Sequence, residues 1–138
     1  MNGFLLDTHY WLWFQMGNAE RLNLQGRHEL LEMQRFGELY LSDVSVWEVA
    51  RLAADGHIDL RMSVDEFLKE AVRDGGLTLL PLSTRILIES TRLPGGLHRD
   101  PSDRLLAATA REHGLTLVTR DKDLLEYGRK GYLKVRKV

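Results

Sequence analysis

Short apolar segments alternate with helix-start signals along the whole chain, and this alternation limits the possible fold more than any other feature. Apolar segments at 3–6, 39–41, 77–80 and 115–119 have the length of strands, and each leads into a helix-start signal. A last, basic strand is predicted at 133–138. Strands that alternate with helices form right-handed β-α-β crossovers, so we predict an α/β fold with a mostly parallel sheet covered by helices.

Capping residues and chain breakers predict where the helices lie. One helix begins at Asp7-Thr8, and others are predicted over 25–35, 43–54, 63–73 and 83–91. The clearest helix start is Asp100-Pro101-Ser102-Asp103, which combines an N-cap, a proline at the first helical position and an acid at the third. Gly114 ends that helix, and Asp121 begins the last one.

Composition excludes several classes of function. The 138 residues include no cysteine, which excludes disulfides, thiolate zinc sites, Fe–S clusters and a cysteine nucleophile. The formal net charge is −1, so a nucleic-acid partner would have to be held by local basic groups. No apolar stretch approaches the roughly 20 residues of a membrane span, and no signal peptide is visible. We therefore expect a cytoplasmic protein with no membrane contact and, because no linker divides the chain, a single domain over 1–138.

Four acidic residues occupy positions at which a parallel α/β sheet binds ligands, outside the carboxyl ends of its strands. Asp7 and Asp121 follow the first and fourth predicted strands, Glu48 lies one turn into the helix after the second, and Asp103 opens the helix that leads into the fourth. Carboxylates gathered at one edge raise one another's pKa values, and a divalent cation relieves the repulsion. Oxygen ligands favour Mg²⁺ or Mn²⁺ over zinc, and such an ion activates water for attack on a phosphodiester.

Each acid also has a purely structural interpretation. Asp7, Asp100 and Asp121 are placed to cap helices, Asp103 is placed to complement a helix dipole, and Glu48 would be an ordinary surface residue of a helix. No single acid decides between the two interpretations.

Other Mg²⁺-dependent phosphoryl-transfer enzymes also carry an aspartate after the first strand. Haloacid-dehalogenase-like phosphatases need a second aspartate two positions on, where this chain has His9. Receiver domains need adjacent acids before that aspartate, where this chain has Leu5 and Leu6. These departures argue against both alternatives without removing them.

Four segments, taken in order, resemble the motifs of the PIN-domain family. They are residues 5–9 (LLDTH), 41–50 (LSDVSVWEVA), 98–110 (HRDPSDRLLAATA) and 117–121 (LVTRD). The resemblance covers nearly the whole chain and is greatest to VapC-type toxins of bacterial toxin–antitoxin pairs. It implies a three-layer α/β/α sandwich around the sheet and a Mg²⁺- or Mn²⁺-dependent endoribonuclease.

The resemblance also implies roles for particular residues. Asp7 and Asp103 would touch the metal, Glu48 would bind it through water or orient the attacking water, and Asp121 would complete a second metal site or the outer shell. Asp100 belongs to the third motif and is a further candidate. The expected partners are RNA, a second copy of the chain in a homodimer, and a VapB-like antitoxin that inserts residues near the active site. A non-catalytic PIN-like module that binds RNA or protein stays open as the alternative.

Basic residues near the acids are candidates for holding RNA. Arginine grips phosphate bidentately, but the same cations would serve equally well as partners of neighbouring aspartates. The candidates are Arg99, Arg104, Arg120 and Lys122. A basic tail either helps to hold RNA or protects an edge strand from aggregation; it contains Arg129, Lys130, Lys134, Arg136 and Lys137.

Histidine and aromatic side chains near the first acid have two interpretations each. His9 and His98 either touch substrate or are structural, and the structural role is the commoner one for such residues. Trp11, Trp13 and Phe14 form either part of the core or a surface for a partner.

Overall fold

Five short strands pair in parallel into one sheet in the computed structural model, which describes residues 3–97 and 100–138. The sheet has the order β3-β2-β1-β4-β5, and every pairing between neighbours is parallel. The prediction of an α/β fold around a parallel sheet is therefore confirmed. The strands are β1 (Phe4–Leu6), β2 (Leu39–Ser42), β3 (Thr78–Leu80), β4 (Thr116–Val118) and β5 (Val135–Arg136).

Helices connect the strands close to the predicted positions. None of the helices in the described part of the chain has both the length and the apolar character that crossing a bilayer demands. The helices are α1 (Thr8–Met16), α2 (Leu24–Arg35), α3 (Asp43–Ala54), α4 (Val64–Lys69), α5 (Thr84–Ser90), α6 (Pro101–His113) and α7 (Lys122–Arg129).

Two elements differ from their predicted extent. The helix predicted over 63–73 is α-helical only to Lys69 and continues as a π-helical turn over Glu70–Asp74. That turn closes where the Gly75 amide donates to the Glu70 carbonyl at 2.8 Å, while the side chain of Gln34 on α2 donates to the Gly75 carbonyl at 2.9 Å. The strand predicted at 133–138 pairs only over Val135–Arg136. It lies at the edge of the sheet, where its one neighbour is β4, a strand of three residues.

Alternate residues of the central strands face opposite layers of helices, which gives the three-layer sandwich. Leu6 and Val118 pack into one core with side chains of α1, α2 and α4. Leu5 and Leu117 pack into the other core with side chains of α6 and α7. Because side chains alternate across a pleated strand, consecutive apolar residues predict a sheet that is buried on both faces, as it is here.

The strand order places a crevice between β1 and β4. The chain leaves β1 into α1, which packs on one face of the sheet, and leaves β4 into α7, which packs on the other face. Adjacent parallel strands whose connections diverge in this way form the topological switch point at which α/β proteins bind ligands. Asp7 follows β1 and Asp121 follows β4 by two residues of loop, so both acids lie at this crevice.

Candidate active site

An open cavity of about 480 Å³ lies at the switch point. All four predicted acids line it, so the spatial gathering that the sequence predicted is confirmed. Asp100 lines the cavity as a fifth carboxylate, whereas Asp123 does not appear among its lining residues. Among the described residues, the lining comprises Asp7, His9, Tyr10, Trp13, Arg21, Glu48, Asp100, Asp103, Arg120 and Asp121.

A threonine hydroxyl holds the side chain of Asp7. Asp7 occupies the N-cap position of α1, but its side chain makes no capping hydrogen bond. Its Oδ2 instead accepts a hydrogen bond of 2.7 Å from the hydroxyl of Thr119, whose Oγ1 accepts one of 3.0 Å from the Asp121 amide. The buried Thr119 hydroxyl therefore connects the loop after β1 to the loop after β4 and holds the Asp7 carboxylate at the cavity.

Asp100 and Asp121 both cap helices, as their structural interpretation predicted. Asp100 Oδ1 accepts from the Ser102 amide at 3.0 Å, and Asp121 Oδ2 accepts from the Leu124 amide at 2.9 Å. Both residues also line the cavity. Capping and a place in the cavity are thus compatible, since the cap orients each carboxylate at the start of its helix.

Two buried hydroxyl groups hold Glu48. Thr8 donates to Glu48 Oε1 at 2.6 Å, and Thr8 Oγ1 lies 2.8 Å from Ser45 Oγ. A threonine hydroxyl has one proton to donate, so Ser45 is the donor to Thr8 when Thr8 donates to the carboxylate. Glu48 is therefore a positioned side chain and not an ordinary surface residue of α3.

Burial and mutual repulsion raise the pKa values of the clustered carboxyls. Burial is the largest cause for Asp7 and Glu48, opposed by the hydrogen bonds from Thr119 and Thr8 respectively. The pKa of Asp103 rises to about 8, first because of burial and then because of the negative charges of the other acids, which are Asp100, Asp7, Asp121 and Glu48. The cluster therefore favours binding of positive charge, whether protons or a cation.

Within residues 3–97 and 100–138, no group of three or more histidine, aspartate or glutamate side chains is arranged so that it could already hold a metal ion. Metal ligation by Asp7, Glu48, Asp103 and Asp121 thus stays a prediction.

The candidate cations differ sharply in their contacts. Arg120 lines the cavity, and its hydrogen bonds go to the Tyr10 hydroxyl and to the main-chain oxygen of Val138, not to an aspartate. Arg104 donates to the main-chain oxygens of Ser90 and Leu97 at 2.8 and 3.0 Å. Lys122 is exposed at the start of α7. The candidates Arg99 and His98 lie outside the described residues.

The basic tail is engaged in local contacts. Arg129 pairs with Glu126, Lys134 donates to the Gly114 carbonyl at 2.8 Å, and Arg136 pairs with Glu29 at 2.7 Å. These contacts favour the interpretation of the tail as a protected edge of the sheet.

The aromatic residues of α1 divide between the core and the cavity. Trp11 and Phe14 are buried in the core, whereas Trp13 lines the cavity with its ring 5.8 Å from that of His9. His9 is exposed at the cavity, so it is not a buried structural histidine.

The sequence analysis did not assign a role to the hydroxyls that position the acids. Thr8, Ser45 and Thr119 are all buried. Thr8 donates to Glu48, Ser45 acts on Glu48 through Thr8, and Thr119 donates to Asp7. Along the chain, each hydroxyl also lies within three residues of one of the four acids. Their proximity to the acids was visible in the motifs, but buried threonines also occur throughout strands. Tyr10 and Arg21 were missed as cavity residues because neither lies in a position with a recognisable signal.

Fold and site together define a three-layer α/β protein with an acidic pocket at the switch point of its sheet. The family model of the PIN domain matches residues 4–130, and the chain belongs to the PIN domain family. This membership decides against the phosphatase and receiver-domain alternatives.

A curated relative and two solved structures are similar to this chain over nearly its whole length. The chain is 35% identical over 127 residues to Ribonuclease VapC22 of Mycobacterium tuberculosis, with 90% of this chain and 91% of that protein covered. A crystal structure of DNA-bound VapBC from Salmonella typhimurium matches with a TM-score of 0.65 at 21% identity, covering 99% of this chain and 98% of that chain. VapBC2 from Rickettsia felis, bound to a DNA fragment from its promoter, matches with a TM-score of 0.70 at 17% identity and the same coverage. The structural matches establish the fold.

Proposed function

We propose that this chain is a Mg²⁺- or Mn²⁺-dependent endoribonuclease that acts in the cytoplasm as the toxin of a VapBC-type pair. The observation that carries the proposal is the gathering of Asp7, Glu48, Asp103 and Asp121 in one cavity, where burial and then repulsion raise the pKa of Asp103 to about 8. The relative that is 35% identical to this chain is named a ribonuclease, which supports RNA as the substrate.

The donor set of the cavity fits a hard divalent cation. Its acidic groups offer only oxygen, which Mg²⁺ and Mn²⁺ prefer, and mutual repulsion gives a cation a free-energy advantage on binding. We assign direct contact to Asp7 and Asp103, and contact through water to Glu48 and Asp121. When bound, the ion would polarise the phosphate and lower the pKa of the attacking water.

The chain's own hydroxyls prepare the carboxylates for these roles. Thr119 holds the Asp7 carboxylate toward the crevice, so that it need not reorganise when a ligand binds. Thr8 occupies Glu48 Oε1, so we assign Oε2 to accept the proton of the attacking water. The raised pKa of Glu48 makes it a better proton acceptor than an ordinary glutamate near neutral pH.

Cleavage of RNA by matched variants tests the proposal. We expect the wild-type protein to cut RNA with Mn²⁺ or Mg²⁺ and to lose this activity in EDTA. Asp7→Asn and Asp103→Asn should each lower kcat/KM by more than about 100-fold, since even outer-shell partners of a metal are worth 10- to 100-fold. Asp123→Asn removes an exposed carboxylate outside the cavity and should leave cleavage unchanged.

Equal cleavage by Asp7→Asn and the wild type would reject the catalytic assignment. Binding of RNA without cleavage in any divalent metal would favour the non-catalytic alternative.

We further propose a VapB-like antitoxin as the protein partner. Two solved structures with a similar fold are VapBC complexes, which supports this assignment. A small gene directly upstream that encodes a DNA-binding protein would identify the candidate. We expect its product to copurify with this chain and to suppress RNA cleavage; a product that does neither would contradict this assignment.

A homodimer is proposed as the assembly of the chain. Large apolar side chains are exposed on two helices that both pack on α6: Trp47 on α3 is 54% exposed, and Leu87 and Ile88 on α5 are 46% and 47% exposed. Light scattering should give twice the 15.9 kDa mass of the chain, and Leu87→Glu should shift it to the monomer value. A monomeric wild-type protein would refute this arrangement.

A further inference from the structure

The Tyr10 hydroxyl and the main chain of Val138 hold Arg120 in the acidic cavity. Its Nε donates to the Tyr10 hydroxyl at 2.9 Å and an Nη donates to the Val138 main-chain oxygen at 3.2 Å. Among the described residues it forms no ion pair, although five carboxylates line the same cavity.

The Tyr10 hydroxyl uses its full hydrogen-bonding capacity in this arrangement. It donates to the Val138 main-chain oxygen at 2.7 Å and accepts from the Val138 amide at 3.1 Å as well as from Arg120. Tyr10 is only 1% exposed, so its ring cannot turn away without breaking the core. One fixed hydroxyl thus sets the position of the guanidinium.

Strand register explains why Val138 is available to Arg120. In the pairing of β4 with β5, Leu117 lies opposite Val135 and Val118 lies opposite Arg136. The same offset of 18 residues brings Val138 level with Arg120. Val138 packs closely against Gly26 of α2, since a Cβ at Gly26 would lie 3.2 Å from the main-chain carbonyl carbon of Val138.

Two aromatic rings restrict Arg120 further. Its guanidinium carbon lies 5.1 Å from the centre of the Tyr10 ring and 4.9 Å from the centre of the Trp13 ring. Cation–π contacts of this kind are stabilising and limit the motion of a long side chain. The two hydrogen bonds use two of the five N–H groups of an arginine, so the guanidinium can still donate to a ligand.

We propose that Arg120 is a substrate-binding residue that grips a phosphate of single-stranded RNA beside the carboxylates, with Tyr10 and the Val138 main chain as the positioning groups that hold it. The inference rests on the proposed function and adds a residue to it. A cavity lined by five carboxylates repels a phosphate backbone, so a fixed cation at the cavity is needed to hold the strand. Arginine suits this role because its planar fork matches phosphate oxygens.

Equilibrium binding of a fluorescently labelled single-stranded RNA tests the inference apart from catalysis. The measurement uses fluorescence anisotropy with the full chain carrying Asp7→Asn, in Mg²⁺, over a series of salt concentrations. Arg120→Gln should raise Kd by about tenfold, as expected for loss of a hydrogen-bonded ionic contact. It should also reduce the slope of log Kd against log salt by about 0.7, the value for one phosphate contact on a single strand.

Tyr10→Phe separates positioning from charge. It leaves the charge of Arg120 in place but removes its Nε acceptor, so Kd should rise by about threefold while the salt slope stays unchanged. Arg120→Lys should keep the salt slope and recover only part of the affinity, because an ammonium lacks the planar fork.

Two matched variants serve as controls. Lys122→Gln removes an exposed cation two positions from Arg120, outside the cavity, and should change Kd by less than about twofold. Tyr127→Phe removes another buried hydroxyl, one that donates to the Pro94 carbonyl at 2.5 Å and is not among the described residues that line the cavity, and should leave Kd unchanged. Thermal melting of each variant reports its stability. If Tyr10→Phe does not fold, the two Arg120 variants carry the test.

The outcomes distinguish this inference from the proposed function. An unchanged Kd for Arg120→Gln, an equal loss for Lys122→Gln, or no RNA binding by the Asp7→Asn parent would each overturn the inference. If the wild type cleaves RNA, and Arg120→Gln binds and cleaves RNA equally well, the proposed function stands and the inference fails. If binding depends on Arg120 but the wild type does not cleave, the inference stands and the nuclease assignment fails.

Discussion

Removing the charge of Asp103 should stabilise the protein in the absence of metal. Asp103 lies among four other carboxylates, and its pKa of about 8 means that ionising it at neutral pH works against folding. A carboxyl whose pKa rises on folding binds its proton more tightly in the folded state. The cost of the charged Asp103 to stability is therefore absent at pH values below its ordinary pKa of 3.8, grows as the pH rises, and is complete above about pH 8.

The size of the stability gain follows from the difference between the ordinary and the raised pKa of Asp103. A tenfold change in proton affinity is worth about 1.4 kcal/mol, so the interval between 3.8 and about 8 sets an upper bound of about 6 kcal/mol. Asp103 remains partly open to water in the cavity, and solvent screening reduces the expected gain for Asp103→Asn to about 2 kcal/mol. In a chain of this size that gain corresponds to a rise in Tm of about 6 °C.

Thermal and urea denaturation in EDTA measure the effect at pH 5 and pH 8. The advantage of Asp103→Asn over the wild type should be larger at pH 8 than at pH 5, whereas the exposed Asp123→Asn should show no such difference. Added Mg²⁺ should raise the Tm of the wild type more than that of Asp103→Asn. An Asp103→Asn protein that is no more stable than the wild type at pH 8 in EDTA would show that burial and repulsion do not disfavour the charge of Asp103 as argued.

Three further variants test other parts of the structure. Thr119→Val removes the hydroxyl that joins Asp7 to the Asp121 amide and should lower kcat/KM by about 10- to 100-fold in RNA cleavage assays; full activity would refute a positioning role. Asp121→Asn keeps an equally good helix cap, so melting followed by circular dichroism should be unchanged while cleavage falls by more than about tenfold. Gly128→Ala would place a Cβ 2.3 Å from Val135 Cγ2 and should cost about 1–3 kcal/mol in urea denaturation, unless β5 can shift without loss.

Local signals predicted the elements of the fold well because most of their boundaries are set by neighbouring residues. The start of α6 depends on Asp100 and Pro101, and its end depends on Gly114 with φ of +66°, all visible in the sequence. The π-helical turn after α4 was not predictable, since it is associated with a hydrogen bond from Gln34 on a different helix. The predicted single domain over 1–138 stays a prediction.

The gathering of the acids was predictable from topology, but their supporting contacts were not. Parallel strands bring their carboxyl ends to one edge, which is sufficient to place Asp7 and Asp121 together. Which carboxylate oxygen is held, and by which hydroxyl, depends on side-chain contacts between residues 112 positions apart, such as Thr119 and Asp7. The role of Arg120 likewise depends on the register that brings Val138 beside it, and no local pattern encodes that register.

The bond between Thr119 and Asp7 has a consequence for the order in which the protein is made. Asp7 follows β1, and its hydrogen-bond donor is translated 112 residues later. During most of translation β1 also lacks β4, one of its two neighbours in the sheet. A nascent chain therefore cannot bring Asp7 together with its hydrogen-bond donor until the segment that contains β4 and Thr119 has also been synthesised.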